Sequence, residues 1–144
     1  MTFVIPLPPV TKKNSQRIIH VKNRPVIIPS SKYVQYEREA IKQLQAYLGG
    51  MEPPRIDRPC NVECKFYMPT RRRVDLNNLL EAATDVLVRA GILEDDNSQI
   101  VASHDGSRVF YDKENPRTVI NITSLNMDYV PVHTVRVPAE EGKR

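Results

Sequence analysis

Two stretches of helical periodicity, each stopped by glycine, with a nine-residue alternating segment between them, constrain this chain more than any other feature. In the first, Ser30 or Ser31 can cap a helix. Tyr33, Tyr36/Glu37, Ala40/Ile41, Leu44 and Tyr47/Leu48 then recur at helical steps before Gly49-Gly50 ends the run. The second runs from about Asp75 to Ala90, with Leu76, Leu79/Leu80, Ala83, Val86/Leu87 and Ala90 as its apolar stripe and Gly91 as its stop. Its polar side carries Asn77, Glu81 and Asp85 at four-residue steps. Between the two, after the proline-rich linker MEPPRIDRP (51–59), the segment CNVECKFYM sends Val62, Cys64, Phe66 and Met68 to one face. A change of period from 3.6 to 2 and back excludes an all-helical and an all-β fold.

The remaining segments supply more strands. TFVIPL alternates well enough for one, and PPVTKKNSQR reads as a basic loop because Pro8 and Pro9 break pairing. IIHV and PVII flank Lys22-Asn23-Arg24 as a short hairpin. ILEDDNSQIVAS passes through an acidic turn into a strand, Asp105-Gly106 turns, SRVFYD extends, KENP turns again and TVINIT is the last strand. The pattern predicts one α+β domain with a mainly antiparallel (mixed) sheet packed with two principal helices. At 144 residues the chain is long enough for a single core. The expected domain covers residues 1–124, with 125–144 as a C-terminal arm or loose tail. There is no run of 18 apolar residues, so a soluble, cytoplasmic protein is expected.

Charge is uneven along the chain. Residues 1–73 hold 14 Lys/Arg against 5 Asp/Glu, a charge of +9, while residues 74–144 hold 7 against 12, a charge of −5. A basic surface of that kind suits a polyanion, although a solvated basic face with no partner has the same composition. Cys60 and Cys64 are the only cysteines, too few for a disulfide framework. Lying four apart in a strand, they share one face and read as buried or half-buried thiols. The histidines (His20, His104, His133) are scattered and no serine sits in a nucleophile elbow, so covalent catalysis has no visible players.

The change of sign falls inside RRRVDLNN (71–78), where three arginines run into Asp75 at the start of the second helix. Aspartate is a favoured N-cap, and Glu94-Asp95-Asp96 suits a solvated turn, so each acidic group has an ordinary structural explanation. A helix of about 16 residues spans about 24 Å, which leaves the acidic turn at the far end from Asp75 unless the chain doubles back. Spacing alone therefore yields two acidic groups beside a basic surface. Were the carboxylates to converge, they would bind a hard divalent cation able to activate water and neutralise charge on a phosphate, while the arginines held the backbone.

The combination of RRRVDLNN with AGILEDDNSQI resembles the RusA family of Holliday junction resolvases, including phage and prophage versions. The likeness extends from VIPLPPVTKKNSQR at the start to about residue 124. It implies a RusA-like fold and a small homodimeric, Mg²⁺-dependent endonuclease (Mn²⁺ a substitute) that makes paired cuts in four-way DNA junctions. The family's acidic site residues map to Asp75 and Asp96, with Asp95 adjacent. Lys12, Lys13, Arg17, Arg71, Arg72 and Arg73 would then flank the DNA.

Two departures stand out. Asn77 occupies the place of the family's second aspartate, and Glu81 the place of a lysine in the same helix. Asn77 can still offer a neutral carbonyl to a metal, and Glu81, one turn along the same face, returns the missing carboxylate and joins the catalytic candidates. Lys113 or the arginines would stand in for the lost lysine. The alternatives are a branched-DNA-binding protein of the same fold with weak or no catalysis, and a nuclease acting on flaps or forks. The tyrosines of the first helix (Tyr33, Tyr36, Tyr47) or the arm VPVHTVRVP are candidate dimer contacts.

Overall fold

A computed structural model describes residues 1–12 and 17–126. The elements run β1 (Thr2–Ile5), β2 (Arg17–Val21), β3 (Arg24–Ile28), α1 (Ser31–Leu48), β4 (Cys60–Met68), α2 (Leu76–Arg89), β5 (Val101–Ser103), β6 (Arg108–Tyr111) and β7 (Arg117–Ser124). The main sheet has the order β1-β7-β4-β5, with β6 also on β4. β7 lies antiparallel between β1 and β4, whereas β5 and β6 both run parallel to β4, at its beginning and its end. The sheet is therefore mixed and, with its two helices, the chain is α+β, as expected.

β5 and β6 form one broken edge. Asn61 fills the break: its Oδ1 accepts from Ser103 Oγ (2.6 Å) and from the Asp105 N–H (2.7 Å), and its Nδ2 donates to the Asp105 carbonyl (3.1 Å). Gly106 turns there at φ +86°, and a Cβ at that position would collide with the Glu63 carboxylate. The turn read at Asp105-Gly106 is thus a bend within one sheet edge, because both flanking strands find the same partner, β4.

Alternation along the strands divides the sheet into two faces. Phe3, Ile5, Val62, Cys64, Phe66, Ile120 and Ile122 are buried in one cluster with Tyr36, Ala40 and Leu44 of α1 and Leu79, Ala83, Val86 and Leu87 of α2. Helices on one side of an antiparallel-rich sheet are the usual way to bury two amphipathic stripes at once. Tyr33 and Tyr36 are 1% and 8% exposed, so these tyrosines serve the core and not a dimer surface. Tyr47 is exposed and packs edge-on against Phe3, with ring centroids 5.8 Å apart. The arm VPVHTVRVP lies outside the described residues.

Both helix starts are capped as the sequence indicates. Ser30 Oγ accepts from the Tyr33 N–H (3.1 Å), and Asp75 Oδ1 accepts from the Asn77 N–H (2.9 Å). Among the described residues the β2–β3 hairpin pairs only with itself, turning at Lys22 and Asn23 with positive φ. Ile18, Ile19, Val21, Val26 and Ile27 are all exposed on it. No helix among the described residues is long and apolar enough to cross a membrane.

Candidate active site

The acidic turn is built from its anchors outward. Ile92 and Leu93 on one side and Ile100 on the other are buried, and Glu94 to Gln99 between them are exposed. The proline-rich linker clamps the first anchor: Arg55 N–H donates to Gly91 O (3.0 Å), Ile56 N–H to Ile92 O (2.9 Å) and Glu94 N–H to Ile56 O (2.9 Å). Gly91 is required at φ +76°, since a Cβ there would stand 3.0 Å from Pro53 Cβ. The second anchor is tied to β4 by Cys60 N–H donating to Ile100 O (2.8 Å).

Inside the turn the two aspartates differ. Asp95 Oδ1 accepts from the Asp96 N–H (2.8 Å) and Oδ2 from Asn97 Nδ2 (3.0 Å), while Asn97 Oδ1 accepts from the Gln99 N–H (3.0 Å). The Asn97 amide and the Asp96 N–H hold the Asp95 carboxyl below the usual carboxylate range. Loss of hydration, followed by the adjoining Asp95 carboxylate and the charge of Asp85, pushes Asp96 up. Asp95 is therefore the brace of the turn, and Asp96 the acid whose proton affinity is tuned by its neighbours.

Asp85 belongs to this end of the molecule. Its Oδ2 receives Lys12 Nζ at 3.4 Å, and Lys12 also lies 5.9 Å from the centre of the Tyr33 ring. One turn further along α2, Arg89 Nη1 reaches Glu37 Oε1 at 2.7 Å and joins the two helices. Burial, then the Glu37 carboxylate and more distantly Asp85, push the Tyr33 hydroxyl far up. The polar stripe Asn77, Glu81, Asp85 thus continues into a charged cluster of Lys12, Glu37 and Arg89, and the charge of Asp85 reaches Asp96. Asp85 was legible only as the wet side of a helix; the four-residue step from Asn77 and Glu81 was its signal.

Asp75 stands at the other end. It caps α2 seven residues after β4 finishes, whereas the acidic turn is tied to the first residue of β4. The 14 residues of α2 put about 21 Å between these ends. One chain does not bring Asp75 to Asp95 and Asp96, and among the described residues no three His, Cys, Asp or Glu side chains form a group able to hold a metal ion. The carboxylates of a single chain therefore do not fit a divalent cation by themselves.

The cations divide in the same way. Arg71, Arg72 and Arg73 are exposed just before Asp75, with the Arg71 guanidinium 4.3 Å from the Tyr111 ring centre. Lys113 is exposed in the turn after β6, which is tied to this end by Asp112 N–H donating to Met68 O (2.9 Å). Lys12 sits with Asp85, Arg17 is exposed at the hairpin base, and Lys13 lies outside the described residues. Asn77 and Glu81 are exposed along the helix between the two ends. Each end of α2 thus offers a carboxylate and at least one cation at the surface.

A mixed sheet covered on one face by two helices, with acids and exposed arginines at the ends of the second, is the arrangement of this chain. Residues 6–123 match the family profile described as Endodeoxyribonuclease RusA, and the chain belongs to the RusA family of endodeoxyribonucleases. It is also similar to a protein of Aquifex aeolicus (strain VF5) named Crossover junction endodeoxyribonuclease RusA. The two are 33% identical over 89 residues, a region that covers 62% of this chain and 66% of that relative.

Proposed function

We propose that this protein is a structure-selective DNA endonuclease that resolves Holliday junctions by paired nicks, acting as a homodimer in the cytoplasm of a bacterial host. The observation that carries this reading is a carboxylate with cations near it at each end of α2, the exposed Asp75 directly after Arg71 to Arg73 and the half-buried Asp85 on Lys12, in a member of an endodeoxyribonuclease family. Cations that neutralise phosphates supply affinity, and the acids supply the chemistry of hydrolysis. On this reading the nuclease domain is residues 1–124.

Two chains are needed for the acids to meet. A two-fold axis that sets α2 of one copy antiparallel to α2 of the other brings Asp75 of one chain to the Asp95–Asp96 turn of the partner subunit, and does so twice. Asp75, Asp96 and Asp95, with Asn77 and Glu81 on the connecting face, then form each site. Mg²⁺, or Mn²⁺ in its place, is the cofactor such a pair of sites would take, supplying charge neutralisation at the phosphate. The apolar surface of the β2–β3 hairpin favours the dimer. A lone two-stranded hairpin is marginal in water, and this one exposes Ile18, Ile19, Val21, Val26 and Ile27.

The test is cleavage of a labelled four-way junction, a linear duplex and a flap by the wild type and Asp75→Asn, with Mg²⁺, Mn²⁺ or EDTA, alongside gel-shift binding. Metal-dependent paired cuts that vanish in Asp75→Asn while binding persists are expected. Tight junction binding without cuts under any metal would instead identify a branched-DNA-binding protein, the reading favoured by Asn77 and Glu81 standing where the family has an aspartate and a lysine.

A further inference from the structure

The sheet face turned away from the helices carries a stack of flat groups that the acidic site does not use. In the register across β7, β4 and β6, Arg117, Tyr67 and Phe110 are cross-strand neighbours in one row. The adjoining row contains Thr118 and Phe66, both buried beneath the helices, so alternation puts the Arg117–Tyr67–Phe110 row on the opposite, open face.

The row is ordered from one end. Arg117 Nη1 donates to Asp112 Oδ2 and to the Asn115 carbonyl, each at 2.8 Å, and these bonds fix the guanidinium. Its Cζ lies 3.7 Å from the centre of the Tyr67 ring. Phe110 stacks on Tyr67 with centroids 5.1 Å apart and planes 18° from parallel. β6 is an edge strand, with no strand beyond it among the described residues, and Phe110 keeps 38% of its surface exposed. Lys65 and Arg108 are cross-strand neighbours on the same face, and Arg71 to Arg73 follow the end of β4.

A supported aromatic plane at a sheet edge, with Lys65, Arg108 and Arg117 near it even after Glu63 meets Lys65 (3.6 Å) and Asp112 meets Arg117, matches a flat uncharged ring attached to an anionic backbone. We infer that Phe110 is a stacking platform for an unpaired nucleobase of branched DNA. Tyr67 and Arg117 form its rigid backing, and Lys65 and Arg108 lie toward the phosphates. A base inside a duplex is already stacked on both faces, so only a base released at a branch point or end can use this plane. The platform therefore adds selectivity for branched over linear DNA. It rests on the DNA-directed function proposed above.

The experiment compares the wild type, Phe110→Leu and Phe110→Trp on a four-way junction carrying 2-aminopurine at the branch point and on a linear duplex of equal length. Gel-shift affinity and 2-aminopurine emission are read, with thermal melting to verify folding. Stacking by the wild type is expected to quench the probe. Phe110→Leu, which keeps the apolar bulk, is expected to lose the quenching and to weaken junction binding by about tenfold with duplex binding unchanged. Phe110→Trp is expected to retain both signals. An unquenched probe in the wild type, or equal weakening on junction and duplex in Phe110→Leu, would overturn the platform while leaving the endonuclease reading standing. A wild type that binds no DNA would overturn both.

Discussion

Asp75 caps the first turn of α2 and Asp96 lies in the turn beyond its last, so the two acids belong to opposite ends of one rigid helix about 21 Å long. If catalysis uses both, two inactive variants should complement each other. A heterodimer of Asp75→Asn with Asp96→Asn would place both lesions in one site and leave the other intact. Co-expressed under different tags and purified as the mixed dimer, it is expected to nick one strand of a junction, while each homodimer cuts neither. An inactive mixed dimer would show that each site draws its acids from a single chain.

Loss of hydration, then the adjoining Asp95 carboxylate and the like charge of Asp85, push Asp96 up from the ordinary carboxylate range. Removing that charge in Asp85→Asn favours the ionised form of Asp96 and lowers its pKa. If ionised Asp96 is required for cleavage, the acidic limb of the pH–rate profile should move to lower pH in Asp85→Asn. A limb that stays in place, or moves up, would remove Asp96 as its source.

Glu37 is mostly buried between the helices, and the Arg89 contact at 2.7 Å is its charged partner. Arg89→Ala would leave that carboxylate uncompensated. Because the arginine is itself largely exposed, the cost should fall below that of a fully buried pair, about 1–2 kcal/mol. Denaturant unfolding of the two proteins measures this directly, and Glu37→Gln combined with Arg89→Ala should recover part of the loss. An unchanged midpoint would mean that solvent already screens the pair.

The thiols give an independent check on the core. Burial pushes Cys64 up to about 12 and raises Cys60 as well, and Cys60 Sγ donates to the Ile100 carbonyl at 3.1 Å. Neither should react with a disulfide reagent at pH 8 in the native protein, and both should react in concentrated guanidinium. Fast native labelling at Cys64 would contradict the packing of β4 against the helices.

Local signals carried far in this chain. Ser30, Gly49, Asp75 and Gly91 mark the helix ends because each satisfies or terminates backbone bonding with its own side chain or its own φ. The alternation of CNVECKFYM maps onto β4 residue for residue, with Val62, Cys64 and Phe66 buried and Met68 half-buried at its end. These properties depend on neighbours within a turn or a strand, and so they can be read from order alone.

Relations between distant segments could not be read that way. That β5 and β6 share one edge of β4, that Asp95 is spent bracing its turn while Asp96 is tuned by Asp85, and that Arg117, Tyr67 and Phe110 form one row all require the register of strands far apart in sequence. The separation of Asp75 from Asp96 is of the same kind. The length of α2 is written in its residues, but the direction of the chain after Gly91 is set by the linker at Arg55 and Ile56, a contact that exists only once the core has formed.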